Sequence, residues 1–378
     1  MMYKLYLILI CVSICFITSC STDKRNSNFN SSNSEEISSK ILTIPLVNSH
    51  NELKLSEVFE SIDTISLYCT SKQYLKFVKK IIIDNNKIYI LSAENMFGKN
   101  GKIFVFDSTG NNLEIIDHVG QGPLEYKFIS DFNIFNDTVE ILDRKKMIKY
   151  TNNDVFIDYF NHEFIADNFL KINNSEYYFY SKFRSYELGD IKLFKYFLNH
   201  NVENIYIPTH PVAFSYLLTN DTRNLIYFDK KNILFDSSID TIYSIEDNSL
   251  IPLWIFEKYN KRLNDDLLNN KFKNIFEFME FIKNREYIYP VNGYFENQKW
   301  LTVFFNYQGN INHLFYDKEM NRQYSTSKWI NDLGGTAKIE EMFFKQIDKY
   351  YLYLYTQELD DKISKSNTVG YLLKFRFK

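Results

Sequence analysis

Short apolar runs separated by polar turn signals recur along most of this chain. The clearest set lies between Lys79 and Tyr126. Ile81-Ile82-Ile83 is β-branched and apolar, Asp84-Asn85-Asn86 is a turn signal, and Lys87 to Leu91 reads as a second strand. Asn and Asp suit such turns because they tolerate left-handed backbone and bond their own chain. After a loop with Gly98 and Gly101, Lys102 to Asp107 is nearly all apolar, as expected of a strand covered on both faces. Ser108-Thr109-Gly110-Asn111 turns the chain into a fourth strand, Leu113 to Ile116. Gly120-Gln121-Gly122-Pro123 then ends the β pattern.

Looser copies of this unit follow. The second has strands at Phe128 to Phe135, Val139 to Leu142, Met147 to Tyr150 and Val155 to Tyr159. The third has them at Phe164 to Ile172, Glu176 to Tyr180, Lys192 to Leu198 and Asn204 to Ile207. A fourth unit, Ala213 to Phe256, shows strands at Asn224 to Phe228, Ile239 to Ile245 and Leu250 to Phe256. The fifth covers Tyr287 to Thr326, with Trp300 to Tyr307 and Ile311 to Tyr316 clearest. In each of these units the third strand ends in an aromatic residue: Phe106, Tyr150, Phe197, Tyr243 and Tyr316, at spacings of 44, 47, 46 and 73. The long last spacing contains a predicted helix, Asn264 to Lys283, with Asn264 as cap and Asp265 and Asp266 in its first turn. Leu268, Phe272, Ile275, Phe276, Met279 and Ile282 form its apolar stripe.

A sixth unit has strands at Ile339 to Ile347, Tyr350 to Tyr355 and Val369 to Phe377, and is one strand short. Near the start, Ile41 to Val47 reads as a strand and Leu55 to Phe59 as one helical turn capped by Ser56. Ile62 to Tyr68 alternates well and is left over, so it can complete the sixth unit. Four-stranded repeats of this length point to an all-β, six-bladed β-propeller closed by an N-terminal strand. A β-sandwich fits a sustained period less well.

The first 20 residues have a different pattern. Lys4 precedes an apolar run, Leu5 to Ile17, that is shorter than the roughly 20 residues a spanning helix needs. Ile17-Thr18-Ser19-Cys20 resembles the lipobox of bacterial lipoproteins, which implies lipid on Cys20; Ser21, rather than Asp, after it points to the outer membrane, facing the periplasm or the exterior. An ordinary secretory signal with an incidental cysteine, or a transmembrane anchor, are the other readings. Residues 21–40 are polar, Ser- and Asn-rich and aperiodic, as a tether is. The expected organisation is therefore a signal peptide over 1–19, a tether over 20–40 and one propeller domain over 41–378.

Composition supports this picture. Aromatic residues make up 17% of the chain and glycine is scarce, which favours strands whose turns are built by Asn and Asp. Past Cys20 only Cys69 remains, so no disulfide or cysteine metal site is expected within the body. A net charge of −3 speaks against a nucleic-acid partner, which calls for a clustered basic face.

Lys102 to Tyr126, with its FDSTGN turn and GQGPLEY segment, resembles the six-bladed β-propeller lipoproteins of Bacteroidetes, a family largely of unknown function. Ile239 to Ile245 followed by Leu250 to Phe256, and Phe315-Tyr316-Asp317-Lys318, resemble it too. Where that family commonly continues with Gly after Phe256, Glu257-Lys258-Tyr259 stands here.

No catalytic string emerges. Gly120 to Tyr126 lacks the Lys-Ser/Thr of a phosphate loop, and is expected to be an inter-blade turn with Glu125 bonding backbone and Tyr126 wedged between blades. His50, His118, His162, His200, His210 and His313 lack ligand spacing. Asp84, Asp107, Asp131, Asp143 and Asp317 lie at strand ends. Propellers similar to the calcium-dependent lactonases use such carboxylates around the channel, so a hydrolase or lyase with Ca²⁺ is one reading. Turn chemistry is the other. Trp254, Trp300 and Trp329 could stack on sugars, but core positions are expected. The favoured expectation is a monomeric, membrane-tethered binding module for a glycan, peptide or envelope protein, with no cofactor and no metal site.

Overall fold

Each predicted unit folds into one four-stranded antiparallel sheet in the computed structural model of the chain. The structure describes residues 42–46, 52–69, 74–95, 97–181, 193–205, 207, 224–237, 239–261, 275–283, 285–334, 344–357 and 367–378. Three strands come first: β1 (Leu42–Pro45), β2 (Leu53–Lys54) and β3 (Phe59–Tyr68). Blade 1 is β4 (Phe77–Asp84), β5 (Lys87–Ala93), β6 (Lys102–Asp107) and β7 (Asn112–Ile116). Blade 2 is β8 (Asp131–Phe135), β9 (Thr138–Asp143), β10 (Lys146–Thr151) and β11 (Phe156–Asn161). Blade 3 is β12 (Asn168–Lys171), β13 (Glu176–Tyr180), β14 (Leu193–Phe197) and β15 (Val202–Ile205). Blade 4 is β16 (Leu225–Phe228), β17 (Lys231–Leu234), β18 (Thr241–Glu246) and β19 (Ser249–Glu257). A helix, α1 (Ile275–Lys283), precedes blade 5: β20 (Ile288–Glu296), β21 (Trp300–Tyr307), β22 (Asn310–Asp317) and β23 (Arg322–Thr326). The short β24 (Trp329–Ile330) leads to blade 6, made of β25 (Phe344–Ile347), β26 (Tyr351–Thr356), β27 (Thr368–Phe377) and the early strand β3.

The first strands of successive blades touch: β25 with β4, β4 with β8, β8 with β12, β12 with β16, and β20 with β25. They are the inner strands, and the sheets radiate from them as a six-bladed propeller. The apolar faces are buried between blades. Buried apolar residues among those described form six clusters, one at each blade interface. Phe132, Ile141 and Ile148 of blade 2, for example, pack on Tyr89, Leu91 and Val105 of blade 1. Each such side chain contributes about 1.5–3 kcal/mol by leaving water. A net hydrogen bond contributes about 1 kcal/mol. Burial therefore supplies most of the stability, and the strand ladders set the register.

Closure follows the expected route. β3 pairs antiparallel with β27, with Ile65 opposite Leu372, Thr64 opposite Leu373 and Ile62 opposite Phe375. Leu67 of β3 and Leu372 of β27 then join Ile81 and Ile90 of blade 1 in one cluster. The FDSTGN turn meets this seam. Gly110 has φ +92°, and a Cβ there would lie 2.1 Å from the backbone oxygen of Ser66. Its own carbonyl accepts from the Tyr68 N–H at 2.8 Å.

The segment before β3 runs along the outer edges of the blades. β1 adds a fifth, parallel strand to β19 of blade 4, and β2 pairs in parallel with β24. The turn after β2 is a 3₁₀ helix, Leu55–Glu57, whose cap position is Lys54 and not Ser56. Ser56 is instead held by Asp332, whose Oδ1 accepts from the Ser56 N–H at 3.0 Å and whose Oδ2 accepts from its hydroxyl at 2.5 Å.

Asn and Asp fill the tight turns as composition implies. Asn85-Asn86, Asn136-Asp137, Asp229-Lys230 and Asp247-Asn248 are two-residue hairpins with φ positive at both positions, the geometry that matches strand twist. Two expectations need correction. The Asp229-Lys230 turn opens β17, a strand the periodicity missed because Lys231 and Asn232 leave only Ile233 and Leu234 apolar. In α1, Phe278 is buried beside Ile282, although the predicted stripe excluded it. Residues 264–274 of the predicted helix lie outside those described.

Lys230→Gly, which removes a Cβ from a residue at φ 61°, should stabilise the fold by about 1 kcal/mol. Gly110→Ala should destabilise it by about 2 kcal/mol or more. Urea titration of both variants against wild type checks the pair; unchanged midpoints would contradict the turn and seam geometry.

Candidate functional site

An inner strand exposes a row of backbone N–H and C=O groups that no further strand pairs. Blade 1 meets those of blade 2 with two buried lysines. Lys80 Nζ donates to Asp131 Oδ1 at 2.8 Å, to the Phe132 carbonyl at 2.9 Å and to Asn133 Oδ1 at 3.0 Å. Lys79 Nζ donates to the carbonyls of Ile129 and Ser130, at 3.1 and 3.2 Å. Blade 2 passes the pattern on to blade 3. Asp131 Oδ2 accepts from the Phe169 N–H at 3.2 Å, and Asn133 Nδ2 donates to the Phe169 carbonyl at 3.0 Å. Asp131, one of the five strand-end carboxylates considered for a channel site, thus forms part of a belt joining three blades. Among the described residues, no three of His, Cys, Asp and Glu are grouped to hold a metal ion.

Further buried polar groups tie the blades together. Glu140 of blade 2 accepts from Lys171 Nζ at 2.7 Å and from the Tyr177 hydroxyl at 3.3 Å, both of blade 3. The Tyr180 hydroxyl of blade 3 donates to Asp236 Oδ2, beyond β17, at 2.6 Å. Lys258 pairs with Asp240 and lies 5.8 Å from the ring centre of Tyr289. Burial first, then the Asp236 and Asp240 carboxylates, hold the Tyr289 phenol well above its ordinary value.

Of the other strand-end carboxylates, Asp107 and Asp317 build turns. Asp107 accepts from the Thr109 hydroxyl at 2.7 Å and from the N–H groups of Thr109 and Asn111, both at 2.9 Å. The Thr109 hydroxyl and the Asn111 N–H lead in lowering its pKa to about 2. Asp317 accepts from the N–H groups of Glu319 and Met320, Asp143 from that of Lys127, and Asp84 from the Asn85 amide. Trp254, Trp300 and Trp329 are all buried, as is Cys69. Gly120 to Tyr126 is an inter-blade turn: Glu125 Oε2 accepts from the Gly122 N–H at 2.8 Å, and Tyr126 is fully buried between blades 1 and 2. His118 stacks on Tyr150 at 4.7 Å and meets Asp154 at 2.6 Å. His200 contacts the Tyr196 hydroxyl, and His313 the Trp329 indole. His162 is buried against Phe164 and Phe179, and burial lowers its pKa to about 4. His50 and His210 lie outside the described residues. The six histidines are thus not gathered into one described site.

The two ends of the sheets differ. Links between the first and second strands of every blade, and between the third and fourth of blades 1 to 5, are two to four residues long. The strand ends at the opposite edge are the ones between which the chain runs longest in sequence: 94–101, 117–130, 181–192, 206–224, 258–287, 327–343 and 357–367. Two cavities open at that edge. One, of about 240 Å³, lies at the ends of β4, β5 and β6 beside Tyr74, Lys76, Glu94 and Asn100. The other, of about 280 Å³, lies between α1 and blade 5, lined by Glu280, Ile282, Lys283, Tyr287, Tyr289, Asn306 and Gln308. Periodicity missed the second cavity because its lining comes from three separate segments.

The described strands thus form a six-bladed propeller whose sheets have short turns at one end. Residues 41–374 match the family described as a domain of unknown function, DUF4934, and the chain belongs to that family. Among solved structures, a Bacteroides fragilis protein described as exported is similar at 17% identity and a TM-score of 0.70, over 89% of this chain and 99% of that one. The WD40 domain of Neurospora crassa Pan2 has 8% identity and a TM-score of 0.44, over 86% and 98% of the two chains. The extracellular domain of a one-component system of B. thetaiotaomicron has 10% identity and a TM-score of 0.39, over 79% and 34%. No curated protein matches the sequence.

Lys80→Met leaves the Asp131 carboxylate buried without its ammonium and should cost about 3–5 kcal/mol. Adding Asp131→Asn should recover part of that, as read by urea unfolding; a neutral single variant would refute the belt. The His162 ring is neutral in the fold, with a pKa below the unfolded value of 6.5. Stability should therefore be fully present above pH 6.5 and be lost as pH falls toward about 4. His162→Phe should flatten that part of the pH–stability curve.

Proposed function

We propose that this protein is a lipid-anchored envelope propeller that acts as a binding module for a glycan, peptide or envelope protein. The observation that carries the reading is the asymmetry between its faces. Tight two- to four-residue links close one end of every blade, while the strand ends joined by the longest segments, and both of these cavities, share the other. Binding residues concentrate on loops held by a rigid frame. Asp131 and Asn133, on the inner strand of blade 2, are engaged in joining blades, which favours binding over channel catalysis.

Export is supported by the Lys4-led apolar run and by the description of the similar B. fragilis protein. Cys20 carries the lipid, residues 20–40 form the tether, and the propeller begins at residue 41. The anchor places the protein in the outer membrane, facing the periplasm or the exterior.

Cys20→Ala should abolish incorporation of an alkyne-labelled fatty acid and move the protein from the membrane fraction to the soluble one. Retention of both label and membrane association would overturn the anchor. Full-length protein screened against envelope glycans, peptides and proteins should retain a specific partner. Failure to retain any would overturn the binding reading.

A further inference from the structure

We propose that the cavity between α1 and blade 5 is a saccharide site that takes one neutral sugar ring of an envelope glycan. This rests on the binding reading above and adds the ligand class and its place. The cavity, at about 280 Å³, falls just below the usual range for ligand pockets, roughly 300–1,000 Å³, which suits a single ring. Its lining is mixed in a specific way. Tyr287 and Tyr289 supply aromatic surface on one side. Asn306 and Gln308 supply amides, each able to donate and to accept. Glu280 only accepts and Lys283 only donates, and their formal charges cancel.

The matching ligand has several hydroxyl groups, each both donor and acceptor, around a ring with apolar C–H faces and no net charge. A hydrocarbon chain would cover the amides without bonding them, which costs free energy. A phosphate-bearing ligand would face Glu280 as well as Lys283. A bare cation would find one carboxylate and an ammonium. A neutral sugar meets all of these groups without such a conflict.

The walls are already in place, which lowers the ordering cost of binding. Phe278 and Ile282 are buried and seat the helix. The Phe278 ring meets Tyr289 edge-on at 5.6 Å and 88°. Gly309 has φ +75°, and a Cβ there would lie 3.0 Å from Lys283 Cγ, so the β21–β22 hairpin closes tightly on the end of α1. The cavity on blade 1 differs. Its Glu94 carboxylate is already flanked by Lys76 at 3.8 Å and Lys99 at 3.7 Å.

The test is calorimetric titration of the full-length protein in detergent with the methyl glycosides of glucose, galactose, mannose and N-acetylglucosamine. At least one should bind saturably. Tyr287→Ala and Asn306→Ala should each weaken it tenfold or more with an unchanged melting temperature. Gln308 is exposed at φ 51°, so Gln308→Gly removes an amide without strain and keeps the test open if another variant fails to fold. Absence of binding by any glycoside, or binding unaltered in Gln308→Gly and Asn306→Ala, overturns the site. If envelope material is retained equally by wild type and these variants, the saccharide site falls and the binding reading stands. If wild type binds neither sugar nor envelope material, both fall.

Discussion

Burial of both faces of every sheet between its neighbours is the constraint on which this structure depends. A single blade here is apolar on two sides and has nothing of its own to cover them. Six blades in a ring solve the problem, and the six interface clusters are the result. The solution holds only if the last blade meets the first. That junction is made by β3, contributed from the beginning of the folded body and laddered onto β27. Leu67, Leu372 and Ile81 then share one cluster across the seam.

Ring closure has a polar consequence. Inner strands leave one backbone edge that no further strand pairs. Lys79, Lys80, Asp131 and Asn133 satisfy part of that edge from neighbouring blades. Farther from the axis, Glu140 with Lys171 and Tyr180 with Asp236 link neighbouring blades in the same way. Such buried ionic groups add register more than net stability.

Much of this was legible in the residues. The Asn and Asp turns, the inter-blade role of Glu125 and Tyr126, and the core positions of the three tryptophans follow from local patterns. Where the reading failed, the pattern was short or broken. β17 offers only two apolar residues, and Ser56 has a distant partner, Asp332, that outweighs its capping tendency. Phe278 is buried because blade 5 presents Tyr289 to it, which helical periodicity alone cannot reveal.

Sequence alone determined the class of fold, the number of blades, the closing strand and the turn chemistry. Those features arise from a pattern repeated about every 45 residues and from the conformational preferences of single residues. Tertiary structure alone decided which carboxylates are structural, where β1 and β2 lie against the outer edges, and which side chains line the cavity beside α1. Each of those depends on contacts between segments far apart in the chain. Packing, not periodicity, selects such partners.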